Sequence, residues 1–271
     1  MQPDVSSASD ADRPFEGRVV VVTGGGRGIG RATALRFAAA GAAVAVLART
    51  ASELEQTAEL IGARGGEALP VVADVSDEDA VAEAFALVRR ECGPISILVN
   101  NAGVGGGHRP IAEQDVAQWR RILDVDLTGP FLCARAAWPD MRVARWGRIV
   151  NVSSGAAVAD PGVFNPARFG PVAVAKAGLD HLTRILAAEG KGDGIAVTAL
   201  YPGLVDTRLE EAARAEPGPL QATFERYKAR GLLVPPEQPA AMIVFLCTDA
   251  GATLSGQVLA PDALKAAMGR E

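Results

Sequence analysis

Val19-Val20-Val21-Val22-Thr23-Gly24-Gly25-Gly26-Arg27-Gly28-Ile29-Gly30 opens the organised part of the chain. Val19–Val22 is a β-branched run of the kind that fits a pleated, buried surface. The glycines after it allow a sharp turn, because a backbone without Cβ reaches conformations closed to other residues. Beyond the turn, Thr33–Ala40 is alanine-rich and reads as helix. A glycine-rich turn between a strand and a helix is a place where a pyrophosphate can be held. The backbone approaches the anion closely, and the helix aims its unpaired N–H groups and positive dipole end at it. A flexible glycine turn without a ligand is the competing reading, and the placement directly after the first strand disfavours it.

Working outward, further strands are predicted at Val44–Leu47, Leu69–Ala73, Ile95–Asn100, Arg148–Ser153, Ile195–Tyr201 and near Val258. Helices are predicted at Ser52–Ile61, from Ser76 to Glu91, and at Trp119–Val143, Ala173–Glu189 and Glu237–Thr248. Ser52 and Ser76 stand where an N-cap belongs. The strands are apolar throughout, as expected for strands covered on both faces. Strands separated by helices imply right-handed crossovers, hence an α/β fold with a doubly wound parallel sheet of Rossmann type in a single domain. Residues 1–16, polar and acidic, read as a disordered leader, and 17–271 as the domain. The stretch 204–236 is polar with several Pro and Gly, and reads as a mobile substrate flap on that domain.

Composition narrows the function. The 271 residues carry 27 basic against 32 acidic side chains, a net charge of −5, which excludes a strongly basic nucleic-acid binder and a polybasic membrane patch. No apolar run approaches the ~20 residues of a membrane helix, and the first residues lack the basic start and apolar stretch of a secretory signal. Cys92, Cys133 and Cys247 lie far apart, as small buried hydrophobes in a reducing, cytoplasmic compartment would. With only His108 and His181, no metal site is expected.

The end of the second strand selects the cofactor. An Asp or Glu about 20 residues past the glycine turn would bind a ribose 2′-hydroxyl and favour NAD. Ala48-Arg49 stands there instead. Repulsion of a 2′-phosphate is thereby removed, and a guanidinium can hold it bidentately. Arg27 adds a second cation, so NADP(H) is expected. The alternative is that Arg49 is merely an exposed charge at a helix start.

With these motifs in view, the chain resembles the short-chain dehydrogenase/reductase family from Phe15 to about Val258. The resemblance rests on Thr23–Gly30, Asp74-Val75, Asn100-Asn101-Ala102-Gly103, Ile149–Ser154, Tyr201-Pro202-Gly203 with Val205-Asp206-Thr207, and Ser255-Gly256-Gln257-Val258, in that order. It implies that Gly24, Arg27, Gly28, Ile29, Gly30 and Arg49 hold the cofactor's phosphates. Asp74 would bind the adenine amino group and Val75 pack on the ring. Asn101, Ala102 and Gly103 would line the cofactor's path, Pro202 and Gly203 follow it, and Thr207 would meet the nicotinamide carboxamide. Asp74 serving only as a helix cap, and the Asn pair only as a turn, are the structural alternatives.

The resemblance also implies a catalytic set of Ser, Tyr, a Lys four residues beyond the Tyr, and an Asn on the long helix. Ser154 and Lys176 match, and the resemblance implies that Lys176 also binds the cofactor by holding its ribose. Position 172 is Val172, and Asp126 stands at the Asn position. Valine has no proton to exchange, and losing a positioned general acid typically costs ~10²–10⁴-fold in rate. The stretch Asp160–Pro166 looks inserted, yet no Tyr lies between Gly155 and Lys176, so a register slip does not restore one. Tyr201, at the end of the sixth strand, and Tyr227, in the flap, are the chain's two tyrosines; neither has the family's spacing to Lys176, and either reaching the site as a substitute is the minor reading. His108, after Gly105–Gly107, reads first as an exposed loop residue with an acid–base role as the alternative, and His181 as packing or interface. Asp126 reads first as an ion-pair partner of Lys176. The second reading is that it would stabilise a cationic iminium, whose reduction needs no proton donor.

These readings point to an NADP(H)-dependent reductase with Ser154, Lys176 and Asp126 in its site, reducing C=N or C=O in a small, partly apolar molecule. A non-redox cyclase, isomerase or lyase on the same scaffold, and an inactive cofactor-binding protein, stay open. The apolar flap residues Leu204, Leu209, Leu220, Phe224 and Leu232 suggest the partly apolar ligand. The resemblance further implies a homodimer or homotetramer, with no nucleic-acid or membrane partner.

Overall fold

The computed structural model describes residues 13–106, 109–158, 169–205, 225, 228–231 and 233–269. Seven parallel strands form one sheet: β1 (Val19–Thr23), β2 (Ala43–Ala48), β3 (Ala68–Val72), β4 (Ile95–Asn100), β5 (Gly147–Val152), β6 (Ile195–Leu200) and β7 (Val258–Leu259). Their order is 3-2-1-4-5-6-7. The order reverses between β1 and β4, where an α/β sheet opens a crevice at its carboxyl edge. Helices α1 (Gly28–Ala39), α2 (Ala51–Gly62), α3 (Glu78–Cys92), α4 (Val116–Leu123), α5 (Gly129–Ala144), α6 (Gly170–Gly190) and α7 (Glu237–Leu246) connect them, followed by the short α8 (Asp249–Ala252) and α9 (Pro261–Ala267).

Two apolar layers hold the sheet. Val21, Ala45, Leu98 and Ile149 meet Phe85, Val88, Cys133 and Met141 on one face. Val20, Val22, Val46 and Val150 meet Phe37, Leu54, Ile243 and Leu246 on the other. All five residues of β1 and all six of β5 are buried, as two-sided cover requires. Burial pushes the Cys133 thiol up to about 12, so that it stays protonated and behaves as a hydrophobe.

The structure corrects several expectations. The edge strand β3 is not covered on both faces: Val72 is 60% exposed and Pro70 lacks the N–H an inner strand would need. Ser52 lies inside α2, whose N-cap is Thr50. The cap of α3 is Asp77, whose carboxylate accepts from the Ala80 N–H, while Ser76 donates to Asp74 instead. Phe15, within the stretch read as leader, is buried edge-on against Phe37 at 5.1 Å between ring centroids. Finally, Trp119–Val143 is not one α-helix. A π turn, Asp124–Thr128, separates α4 from α5. Pro130 explains the break, because it has no N–H to give the Asp126 carbonyl one α-turn back and its ring crowds that carbonyl.

Candidate active site

The glycine turn between β1 and α1 is a cradle shaped by close approach. A Cβ on Gly24 would stand 2.8 Å from Asn101 Nδ2, and one on Gly30 would stand 2.2 Å from the Gly24 carbonyl oxygen. Its carbonyls are already engaged: Thr57 Oγ1 donates to Gly25 O at 3.1 Å, and Arg31 donates to Gly26 O. Arg27 precedes α1 without capping it by its side chain. The N–H groups of Gly28, Ile29 and Gly30 therefore begin a helix with no side-chain cap, a donor set that suits a pyrophosphate.

Past β2, Arg49 pairs with Asp74 at 3.5 Å, and Arg27 pairs with Glu53 at 3.6 Å. Both guanidiniums are half exposed, so each pair contributes only about 0–1 kcal/mol and yields readily to a stronger anion. Asp74 also accepts from the Ser76 N–H at 3.0 Å and hydroxyl at 2.7 Å. Burial pushes its carboxyl up, but the Ser76 hydrogen bonds and the Arg49 charge outweigh that and leave it below its ordinary value. Asp74 is therefore no helix cap. With Arg49, Arg120 and Arg121 it lines a cavity of about 310 Å³ between the ends of β2 and β3 and helix α4. That cavity could take the adenosine end of a dinucleotide. Val75 is buried against Gly129, where a Cβ would meet Val75 Cγ2 at 2.9 Å.

The Asn101 side chain takes the turn-shaping role that is one of its two expected readings. Its Nδ2 donates to Thr23 O at 2.9 Å and to Gly24 O at 3.3 Å, which ties the end of β4 to the glycine turn. Its backbone N–H and that of Ala102 both donate to Thr23 Oγ1 at 3.0 Å. Asn101 thus braces the cradle, and Ala102 and Gly103 continue along the crevice.

The chemistry-bearing groups converge beyond β4, β5 and β6. Lys176, 7% exposed on α6, donates from Nζ to Val152 O at 3.0 Å and lies 3.7 Å from Asp126 Oδ2. Asp126, 1% exposed in the π turn, accepts from the Val104 N–H at 2.8 Å. Gly103 sits against the same carboxylate. Burial pushes the Asp126 carboxyl above its ordinary value, and the Lys176 charge and the Val104 hydrogen bond oppose this. One turn past Lys176, Asp180 is also buried and raised, beside Ser153, Arg184 and Lys176. The Ser154 hydroxyl accepts from the Ala156 N–H at 3.2 Å, which leaves its own proton to donate. Val172, half-buried, stands one helical turn before Lys176.

Pro202 and Gly203 follow β6, where Gly203 takes φ +82. Thr207, His108, Tyr227, the stretch 160–166 and the apolar residues Leu209, Leu220, Phe224 and Leu232 lie outside the described residues. The two ends of the 204–236 segment meet, with Val205 bridging Val234. Sequence reasoning missed the helix break that sets Asp126; Pro130 inside a helical pattern was its visible signal. Tyr201 is a minor candidate from sequence; that its ring rests on Gly155 is a contact no spacing rule encodes. Among the described residues, no three His, Cys, Asp or Glu side chains are placed to hold a metal ion, and no helix is long and apolar enough to cross a membrane.

The chain matches the family model for short chain dehydrogenases over residues 18–218. It is 40% identical over 248 residues to cis-4-hydroxycyclohexanecarboxylate dehydrogenase of Sinomonas cyclohexanicum, a match that spans 92% of this chain and 96% of that protein. A crystal structure of a short-chain type dehydrogenase/reductase from Mycobacterium marinum superposes with a TM-score of 0.83 at 30% identity, covering 94% of this chain and 98% of that one. A candidate NAD(P)-dependent gluconate 5-dehydrogenase from Beutenbergia cavernae, solved with NADP at low occupancy, superposes with a TM-score of 0.81 at 35% identity, covering 92% and 96%.

Proposed function

The chain belongs to the short-chain dehydrogenase family, and from that premise we propose that it is a working NADP(H)-dependent reductase of small, partly apolar carbonyl compounds. The observation that carries this reading is the convergence of Ser154, Lys176 and Asp126 at the carboxyl edge of the sheet. When bound, the cofactor supplies a hydride and accepts it back in the reverse direction. The chain's own groups do the rest. The α1 amides and the glycine cradle hold the pyrophosphate. Arg49 and Arg27 exchange their weak carboxylate partners for the 2′-phosphate, since hydrogen bonds to a charged group are worth ~1.5–3 kcal/mol and a half-exposed ion pair less. Ser154 donates to the substrate oxygen, and Lys176 gives the site its positive charge.

Val172 stands in this reading where the family resemblance implies a Tyr, and Asp126 where it implies an Asn. The Asp126 carboxylate is turned to Lys176 and the Val104 N–H, which argues against its serving a cationic substrate. That favours C=O over C=N among the two acceptors. The Sinomonas relative, whose name gives an alicyclic hydroxycarboxylate as substrate, supports the same class. The Val205–Val234 bridge joins the two ends of the stretch that the sequence reads as a substrate flap. The exposed Phe131 on α5 and Val174 and Ile185 on α6 suit a homodimer through those two helices.

Cofactor choice tests the reading. The parent protein should show a higher kcat/KM with NADPH than with NADH. Arg49→Ala should lower the NADPH value by about 10–100-fold, the loss of one charge-assisted phosphate contact, and leave NADH nearly unchanged. Equal losses with both cofactors would place Arg49 outside the phosphate site.

A further inference from the structure

We infer that Tyr201, from the end of β6, is the proton donor of this site in place of the missing helix α6 tyrosine. The inference rests on the carbonyl-reductase reading and deepens it.

The backbone around Tyr201 is tightly set. Its N–H donates to Leu259 O at 2.9 Å. Pro202 follows, and a residue before proline is held extended. In the β5–β6 register Val152 pairs with Leu200, and the Ser153 N–H donates to Leu200 O at 2.8 Å. Tyr201 is therefore one step beyond the last pair, level with Ser153 and Ser154.

The side chain is fixed by its contact with Gly155. A Cβ built on Gly155 would stand 2.7 Å from Tyr201 Cζ and 2.8 Å from Tyr201 Oη. The hydroxyl end of the ring, not its base, rests on the residue next to Ser154, and only glycine leaves it room. Lys176 reaches the same short stretch of β5 through Val152 O. One phenol, one hydroxyl and one ammonium thus come to residues 152–155 from three separate elements. The helix bearing Lys176 offers only Val172 in that direction of the sequence.

The step balances with these groups. As hydride adds to the carbonyl carbon, the C=O π pair moves onto oxygen, which takes the Tyr201 Oη proton. The substrate is reduced by two electrons to an alcohol, NADPH ends as NADP⁺, and the phenolate regains a proton from water. Ser154 orients the oxygen, and the Lys176 charge favours the phenolate that forms.

The experiment compares parent, Tyr201→Phe, Gly155→Ala and Val172→Tyr with NADPH and a panel of alicyclic ketones and cyclic imines. Tyr201→Phe should lower kcat on ketones by about 10²–10⁴-fold and leave NADPH binding, read by nicotinamide fluorescence, within about threefold. Gly155→Ala, whose methyl takes the place of the hydroxyl, should lower kcat similarly with the ring still present. The cofactor-free protein supplies a second readout. Because the chain has only two tyrosines, the difference between parent and Tyr201→Phe isolates the phenolate absorbance of Tyr201 on alkaline titration. Lys176→Met should move that titration to higher pH, while Asp126 and Asp180 stay in place. Ketone reduction that survives Tyr201→Phe within threefold, or a phenolate titration unmoved by Lys176→Met, overturns the inference and leaves the reductase reading standing. A parent active on imines alone overturns the inference together with the carbonyl reading, and leaves a C=N reductase. A parent that binds NADPH and reduces nothing, whether or not Val172→Tyr does, overturns both.

Discussion

Asp126 and Lys176 show what a single substitution of charge does in a buried site. An asparagine there would be neutral at every pH, whereas the Asp126 carboxyl is pushed above its ordinary value by burial against the opposing pull of Lys176 and Val104. A carboxyl whose folded value is raised penalises the folded state once it ionises. The parent's stability should therefore fall as pH rises from about the ordinary carboxylate value through the raised one. Asp126→Asn carries no such loss, so its melting temperature relative to the parent should climb over that window. A relative stability that falls with pH would show that the ammonium's attraction outweighs burial. At this scale the sequence was legible where chemistry follows residue type: Gly24, Gly30, Arg49, Ser154 and Lys176 all sit at the crevice. It was opaque where chemistry depends on what a side chain touches. Between the two readings left open for Asn101, only the contact with Thr23 O decides for a brace of the turn, and for Tyr201 only the contact with Gly155 places the ring.

Between elements, a chain of buried amides and a hydroxyl fixes helix α6 to the sheet. Asn100 Nδ2 donates to Asn151 Oδ1 at 2.9 Å, Asn151 Nδ2 to Thr183 Oγ1 at 2.8 Å, and Thr183 Oγ1 to Leu179 O at 2.9 Å. The chain runs from β4 through β5 into the helix that carries Lys176. Asn151→Ala leaves buried partners on both sides unsatisfied, and should cost about 1–3 kcal/mol, seen as a lower melting temperature. Because α6 would lose its anchor, kcat should fall with it. A variant as stable as the parent would mean that packing alone seats α6. Strand existence was readable from β-branched runs, and β4 fell where expected, because burial on both faces enforces an apolar pattern. Helix ends were less so. Caps depend on which short polar side chain the backbone turns toward an N–H, and Asp77 won over Ser76. The π turn escaped because hydrophobic periodicity runs through it, although Pro130 just past it withholds an N–H from the Asp126 carbonyl.

Over the whole molecule, the alternation of strands and helices led to the doubly wound parallel sheet, since crossovers of one hand leave few other topologies. The order 3-2-1-4-5-6-7 brings the glycine turn, Asp74, the Asn101 loop, Ser154 and Tyr201 to one edge, though up to 178 residues of sequence separate them (23 to 201). What sequence could not supply is the convergence itself, because contacts across β5, β6, α6 and the π turn are set by register and not by spacing. The account stands on hydride transfer being intact without a tyrosine ahead of Lys176. The direct measurement is a single turnover: protein loaded with one equivalent of NADPH is mixed with excess alicyclic ketone, and the nicotinamide absorbance is followed alongside alcohol formed. The absorbance should be lost with alcohol appearing one for one. Bound NADPH whose absorbance stays constant in the parent, yet falls once Val172→Tyr is introduced, would contradict it.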